Sequence, residues 1–208
     1  MPGVRPIYTS CAIPECRRLV RAWSRYCPKH ATRLTRYGDP LVMPLKPKEW
    51  LPHERYVADA FARYASRRGT QIALDLAAGV LAYRSVHGFT YQLEAEREFR
   101  RLTDAGVTPA DLLRRAAVFY ALLKHRPGRF GDRQKAEDIN LGRFVSRLAP
   151  MSRRGNKTRS TSYRFIGELV REGCALWAGA LLNTMEREAV EARERVRASG
   201  DLTMEAAP

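Results

Sequence analysis

The stretch TPADLLRRAAVFYALLKHRPG, residues 108–128, reads as one complete helix from cap to stop. Thr108 offers an N-cap hydroxyl, Pro109 takes the first helical position, where no amide donor is missed, and Asp111 puts an acid in the first turn. Leu112, Leu113, Val118, Phe119 and Leu122 supply its apolar residues, and Pro127-Gly128 ends it. Working outward, the same pattern recurs. Val57, Phe61, Tyr64 and Ala65 share a face over 54–68, which Gly69 stops. Ile72, Leu76, Val80 and Tyr83 form a stripe over 71–85 behind Thr70, and Thr90 begins a helix over 91–105 that Gly106 closes. On the C-terminal side, a shorter helix is expected over 139–148. A long one follows over 162–198, with Ile166, Leu169, Val170, Gly173, Trp177, Leu181 and Met185 at helical spacing. The fold class is therefore mainly α: a helical bundle with a long C-terminal helix, and strands only in a small zinc-finger-like module at the front.

The expected organisation is a zinc-binding module over 1–40, a proline-rich linker over 41–53 (Pro44, Pro47, Pro52), an α-helical domain over 54–198 and a disordered tail over 199–208. Residues 126–137 and 150–161 read as charged or polar loops. No run of about 18 apolar residues is present, and residues 1–10 lack the charged-then-apolar pattern of an export signal, so an intracellular, cytoplasmic protein is expected.

Charge narrows the function class. The chain carries 37 Lys+Arg against 22 Asp+Glu, a formal net of +15, and such a field attracts polyanions, of which nucleic acid is the commonest inside a cell. The excess is uneven. Residues 1–50 hold ten bases and three acids, and residues 124–171 hold thirteen and four, whereas 172–208 is net acidic. Two contact surfaces, or two halves of one, are therefore expected. One comprises Arg17, Arg18, Arg21, Arg25, Lys29, Arg33 and Arg36. The other comprises Arg126, Arg129, Arg133, Arg153, Arg154, Lys157, Arg159 and Arg164, interleaved with small polar residues whose amides help hold phosphates.

Three of the four cysteines fall within the first 27 residues, in the pattern Cys11-x4-Cys16-x10-Cys27-x2-His30. In a protein without an export signal, such clustering reads as metal ligation rather than disulfide bonding. Three thiolates and an imidazole complete a tetrahedral structural Zn2+ site with no position left for a catalytic water. About 30 residues bury too little apolar surface to fold alone, so the metal supplies the folding energy. Trp23 and Tyr26, on the way to the second ligand pair, either pack the knuckle or stack on a base. The fourth cysteine, Cys174, is expected to be a buried small hydrophobe.

These residues, with the basic loop between the pairs and the following Arg33, Arg36 and Gly38-Asp39-Pro40, resemble the cysteine-rich zinc module found at the front of many phage and mobile-element proteins, often ahead of an HNH endonuclease. The resemblance covers residues 11–40 and implies DNA association through the basic residues on and after the second knuckle. Members often carry a glycine before the third cysteine, where this chain has Tyr26. The nuclease itself is not found: an HNH core needs several histidines, an asparagine and acids close together, and His53, His87 and His125 are dispersed. No catalytic constellation is evident, and a non-enzyme is expected. Asp132, Glu137 and Asp138 are the loop acids nearest the basic region and the place where a hidden site would lie.

The expectation is a zinc protein that binds nucleic acid, DNA ahead of RNA, mainly through phosphates, with a possible protein partner on the helical domain and no membrane. Two rivals remain. One is a subunit of a larger nucleoprotein assembly such as a CRISPR-type effector complex; the other is a phage-type inhibitor that occupies the nucleic-acid groove of a host protein. The pair 91–105 and 109–124 reads as a plain helical hairpin rather than a helix-turn-helix with Arg114 and Arg115 facing DNA, because Val118-Phe119-Tyr120 looks like core.

Overall fold

The structure is a computed structural model that describes residues 8–131, 133–150 and 158–204, with side chains as far as Arg197. The chain runs β1 (Tyr8–Ser10), β2 (Leu19–Arg21), α1 (Pro28–Tyr37), α2 (Pro47–Tyr64), α3 (Arg68–Leu81), α4 (Thr90–Asp104), α5 (Pro109–His125), α6 (Gln134–Ser146) and α7 (Ser160–Met204). The protein is mainly α, as the helical periodicities predict, and the antiparallel β1–β2 pair is the only sheet among the described residues. No helix among them is long and apolar enough to cross a membrane.

Helix α5 is central. It packs on α2, α3, α6 and α7, and its Leu112, Leu113, Ala116, Ala117, Phe119 and Leu122 are fully buried. Thr108 caps it as expected: the hydroxyl accepts from the Asp111 amide, and the Asp111 carboxylate returns to the Thr108 amide at 3.0 Å. Arg114 pairs with Asp111 at 2.5 Å, and Arg115 lies between the Trp50 and Phe144 rings at 4.6 and 4.8 Å.

Helix α7 runs alongside α5 and α6, and its closest approach is to α6. A Cβ on Gly142 would overlap the Tyr163 carbonyl, and one on Gly167 would overlap the Asp138 carbonyl, so two glycines let these backbones touch. The buried Cys174 belongs to this core, and burial pushes its thiol up to about 12.

Several boundaries differ from expectation. The proline-rich stretch 41–53 is helical from Pro47 onward, because Pro47 sits at the first helical position and Pro52 is carried inside α2. Helix α6 begins at Gln134 rather than 139, so Glu137 and Asp138 are helical, not loop, residues. Helix α7 reaches Met204, past the start of the expected disordered tail, since extending an existing helix costs little per residue. Pro28, between the second pair of candidate ligands, is the opening residue of α1.

Candidate metal centre and its basic rim

The first two ligand candidates lie where the hairpin turns. Cys11 follows β1, and its amide donates to the Arg18 carbonyl at 3.0 Å, while the Cys16 amide closes a turn on the Ile13 carbonyl at 2.9 Å. The other two sit at the start of α1: Cys27 is its N-cap residue, and His30 lies one turn in, facing the hairpin. The turn spacing and the helical rise thus bring together residues up to 19 positions apart in the chain.

The donor atoms of Cys11, Cys16, Cys27 and His30 all lie within 4.8 Å of one another. Cys11 Sγ is 3.4 Å and Cys27 Sγ 3.5 Å from His30 Nδ1, and Cys16 Sγ is 3.9 Å from Cys27 Sγ. A tetrahedron with metal–sulfur bonds of about 2.3 Å and a metal–nitrogen bond of about 2.0–2.1 Å has edges of about 3.6 Å (S–N) and about 3.8 Å (S–S). Three of the six separations lie close to those edges and all six lie within 4.8 Å, so the group could hold a metal ion.

Electrostatics favour the same occupant. Burial, and then Arg33, Lys29 and Arg18, hold the His30 imidazole below its usual pKa and therefore neutral, which is the form that coordinates. Burial opposes ionisation of Cys27, but the His30 amide, the neighbouring thiols and the Lys29 amide outweigh it and leave Cys27 below the ordinary thiol value. At Cys16 the Arg18 amide favours the thiolate, yet burial and the crowding of Cys27 and Cys11 prevail and push it up. Three thiols this close cannot all ionise without a cation among them. Cys11, Cys27 and the inward-facing Val20 are buried and form a small apolar cluster of their own, separate from the main core.

Around this centre the charge is of one sign. Between residues 8 and 38, Glu15 is the single acid, against Arg17, Arg18, Arg21, Arg25, Lys29, Arg33 and Arg36. Lys29, Arg33 and Arg36 follow i, i+4, i+7 spacing along one side of α1. Among the described residues, none of these seven cations forms an ion pair. Arg21 and Arg25 lie instead over the rings of Trp23 and Tyr26, at 5.2 and 5.5 Å. Tyr26 packs on the metal cluster, whereas Trp23 is 74% exposed and packs on nothing buried. Of the two roles open to these aromatics, Tyr26 takes the first.

The second expected surface is built differently. Arg129 donates to both Glu49 oxygens, at 2.8 and 3.1 Å, and to the Met43 carbonyl at 3.2 Å; Arg126 lies 3.6 Å from the same carboxylate. Arg159 faces Glu94 at 3.6 Å, and Arg164 pairs with Glu168 at 2.7 Å. Arg133 is exposed, while Arg153, Arg154 and Lys157 lie outside the described residues, as does Asp132. Asp138 is buried and bonded to Gln134 at 3.1 Å and to Arg171 at 3.0 Å, which commits it to tying α6 to α7. Compared with protein families, curated proteins and solved structures, the chain matches none.

Two features escaped sequence reasoning. The module is fastened to the bundle by Asn140, which donates to the Tyr37 carbonyl at 3.2 Å, by Arg143, which donates to the Arg36 carbonyl at 2.9 Å, and by the Ser160 hydroxyl on the Thr35 carbonyl. The acceptors are carbonyls at the end of α1, groups that a helix terminus leaves unpaired. Gly38 then takes φ +78° and lets the chain leave against Ala136. The histidines are also less dispersed than their numbers suggest: the His53 and His125 rings stack with centroids 5.0 Å apart, beside a cavity of about 590 Å³ between α2, α5 and α7. The i, i+3 pairing of Asn140 with Arg143 was the one available signal for the fastening; nothing local announced the histidine stack.

Proposed function

We propose that this chain is a nucleic-acid-binding protein whose N-terminal module is ordered by a structural zinc ion and grips phosphates with the cations around it. Zinc is the metal of choice for three thiolates and an imidazole in a closed tetrahedral shell, and four protein ligands leave it no open position for chemistry. The observation that carries the reading is the contrast in pairing. Among the described residues the seven cations of the module have no carboxylate partners, while Arg126, Arg129, Arg159 and Arg164 are matched with Glu49, Glu94 and Glu168. Cations left unmatched and held on a metal-ordered frame keep their charge for an external polyanion, and phosphate contacts of this kind supply most non-specific affinity. DNA is the first ligand to test, and RNA the second.

The test is a titration of the zinc-loaded protein against fluorescent duplex DNA, single-stranded DNA and RNA at several salt concentrations. Each phosphate neutralised contributes about −0.7 to −0.9 to the slope of log K against log salt, so engagement of most of the module's cations gives a slope steeper than about −3. Stripping the metal with a chelator abolishes the tight phase. Absence of binding to all three ligands at low salt would overturn the reading.

A further inference from the structure

The outer face of the metal module has more on it than charge. In the β1–β2 pair, Tyr8 is the direct partner of Arg21, Thr9 of Val20 and Ser10 of Leu19. Alternation therefore puts Tyr8, Ser10, Leu19 and Arg21 on one side while Val20 turns in toward the ligand cysteines. Tyr8 is 55% exposed and Leu19 68% exposed. Trp23, two residues beyond the strand, stands with the Arg21 guanidinium over its ring, and 74% of the residue is exposed. A tryptophan is costly to leave in water, and this one stands against Arg21 in a hairpin that also carries Arg17, Arg18 and Arg25, none of which forms an ion pair among the described residues.

We infer that this face is a stacking platform for unpaired nucleobases, so that the preferred ligand of the module is a single strand rather than a duplex. The inference rests on the reading that the module binds nucleic acid and names the class of nucleic acid it takes. In a duplex the faces of the bases are stacked on one another and closed to a flat side chain; phosphates alone remain for the arginines, and Trp23 and Tyr8 have nothing to cover. An unpaired base offers its π face, and base–aromatic stacking combined with a cationic track is how single strands are held without sequence preference. Arg21 lies over the Trp23 ring at 5.2 Å while most of the residue stays open to a base, and the hairpin's other arginines supply positive charge for the flanking phosphates. The shared chemistry is an unpaired base between two phosphates, which DNA and RNA both supply.

The test compares the full, zinc-loaded chain with its Trp23→Ala, Trp23→Phe and Arg17→Ala/Arg18→Ala variants. The ligands are an unstructured single-stranded DNA, the matching RNA and the matching DNA duplex. Trp23 is exposed, so metal content and circular dichroism of its variants should equal the parent's. The expected result is tighter binding of the single strands than of the duplex. Trp23→Ala should weaken single-strand binding by about five-fold or more, with the salt slope and the duplex affinity unchanged, and Trp23→Phe should restore most of the loss. Arg17→Ala/Arg18→Ala should weaken all three ligands and flatten the salt slope. A Trp23-dependent preference for DNA over RNA, or the reverse, supports the inference and identifies the sugar. If Trp23→Ala leaves single-strand binding intact, or weakens the duplex equally, the stacking platform is refuted while the nucleic-acid reading stands. If the parent binds none of the three, both fall, and Trp23 is to be sought in a contact with a protein.

Discussion

Glu49 shows how much a single carboxylate decides here. It receives Arg129 through two hydrogen bonds and accepts from the Lys46 amide at 2.8 Å, so one side chain caps α2 and neutralises an arginine at once. Hydrogen bonding to Arg129, against the opposing effect of burial, holds its carboxyl below the usual range. A carboxylate depressed in the fold lends stability above its unfolded pKa and loses it as pH falls through the folded value. Arg129→Ala is therefore expected to destabilise the protein by about 1–3 kcal/mol at neutral pH, with a shallower loss of stability on acidification below about pH 4.5, as read by denaturant melts across pH. Its nucleic-acid affinity should stay near the parent's, because Arg129 is already spent on Glu49. The metal ligands make the opposite case. Cys27→Ser should take the bound metal from about one equivalent to near zero and erase the order of the module, while the bundle, whose core contains none of the three ligand cysteines, keeps its melting transition. Metal analysis beside thermal melting checks both halves. The group that could hold a metal was legible from spacing alone because all four residues lie within 20 positions and are of types that ligate metals. The state of Arg129 was not, since its partner lies 80 positions away and charge has no periodicity to betray pairing.

Helices followed their local signals where those signals were strong. Thr108-Pro109-Ala110-Asp111 caps α5 as read, and the α7 stripe packs, with Ile166, Val170, Leu181 and Met185 buried. The α3 stripe is rotated from expectation: Ile72 and Leu76 are exposed, and Thr70, Ala73, Ala77 and Leu81 face the core, where small side chains let α3 lie close to α5 and α7. Prolines were harder to read. Pro28 and Pro47 open helices, and a proline at the first helical position looks in sequence much like one in a turn. The close α6–α7 seam was equally hidden, because Gly142 and Gly167 gain meaning only when two helices are laid together. Gly167→Ala should cost about 1–3 kcal/mol or more, since its Cβ meets the Asp138 carbonyl, which cannot yield without dragging α6. Gly69→Ala, where a Cβ meets nothing within 4 Å, is the control and should be close to neutral in the same denaturant titration.

Across the whole molecule, the two basic stretches behind the net charge of +15 suggested two contact surfaces or two halves of one, and the ion pairs among the described residues distinguish them. Several arginines in and beside the bundle are bound into its own carboxylates and carbonyls: Arg101 alone donates to Glu98 and to the carbonyls of Ser146, Ala149 and Pro150. Composition counts charges but cannot say which have been answered, and that is a property of the fold. The same fold sets how the head may change over time. Asn140, Arg143 and Ser160 grasp main-chain carbonyls at the end of α1, which every helix of that length presents whatever its side chains. The joint is thus indifferent to the letters written on the outward surface of the module. A lineage, or an engineer, can rewrite Trp23, Arg25 or Thr32 to suit a new ligand while the module stays seated at the same angle on the same body, in the manner of an interchangeable tool bit in a fixed chuck.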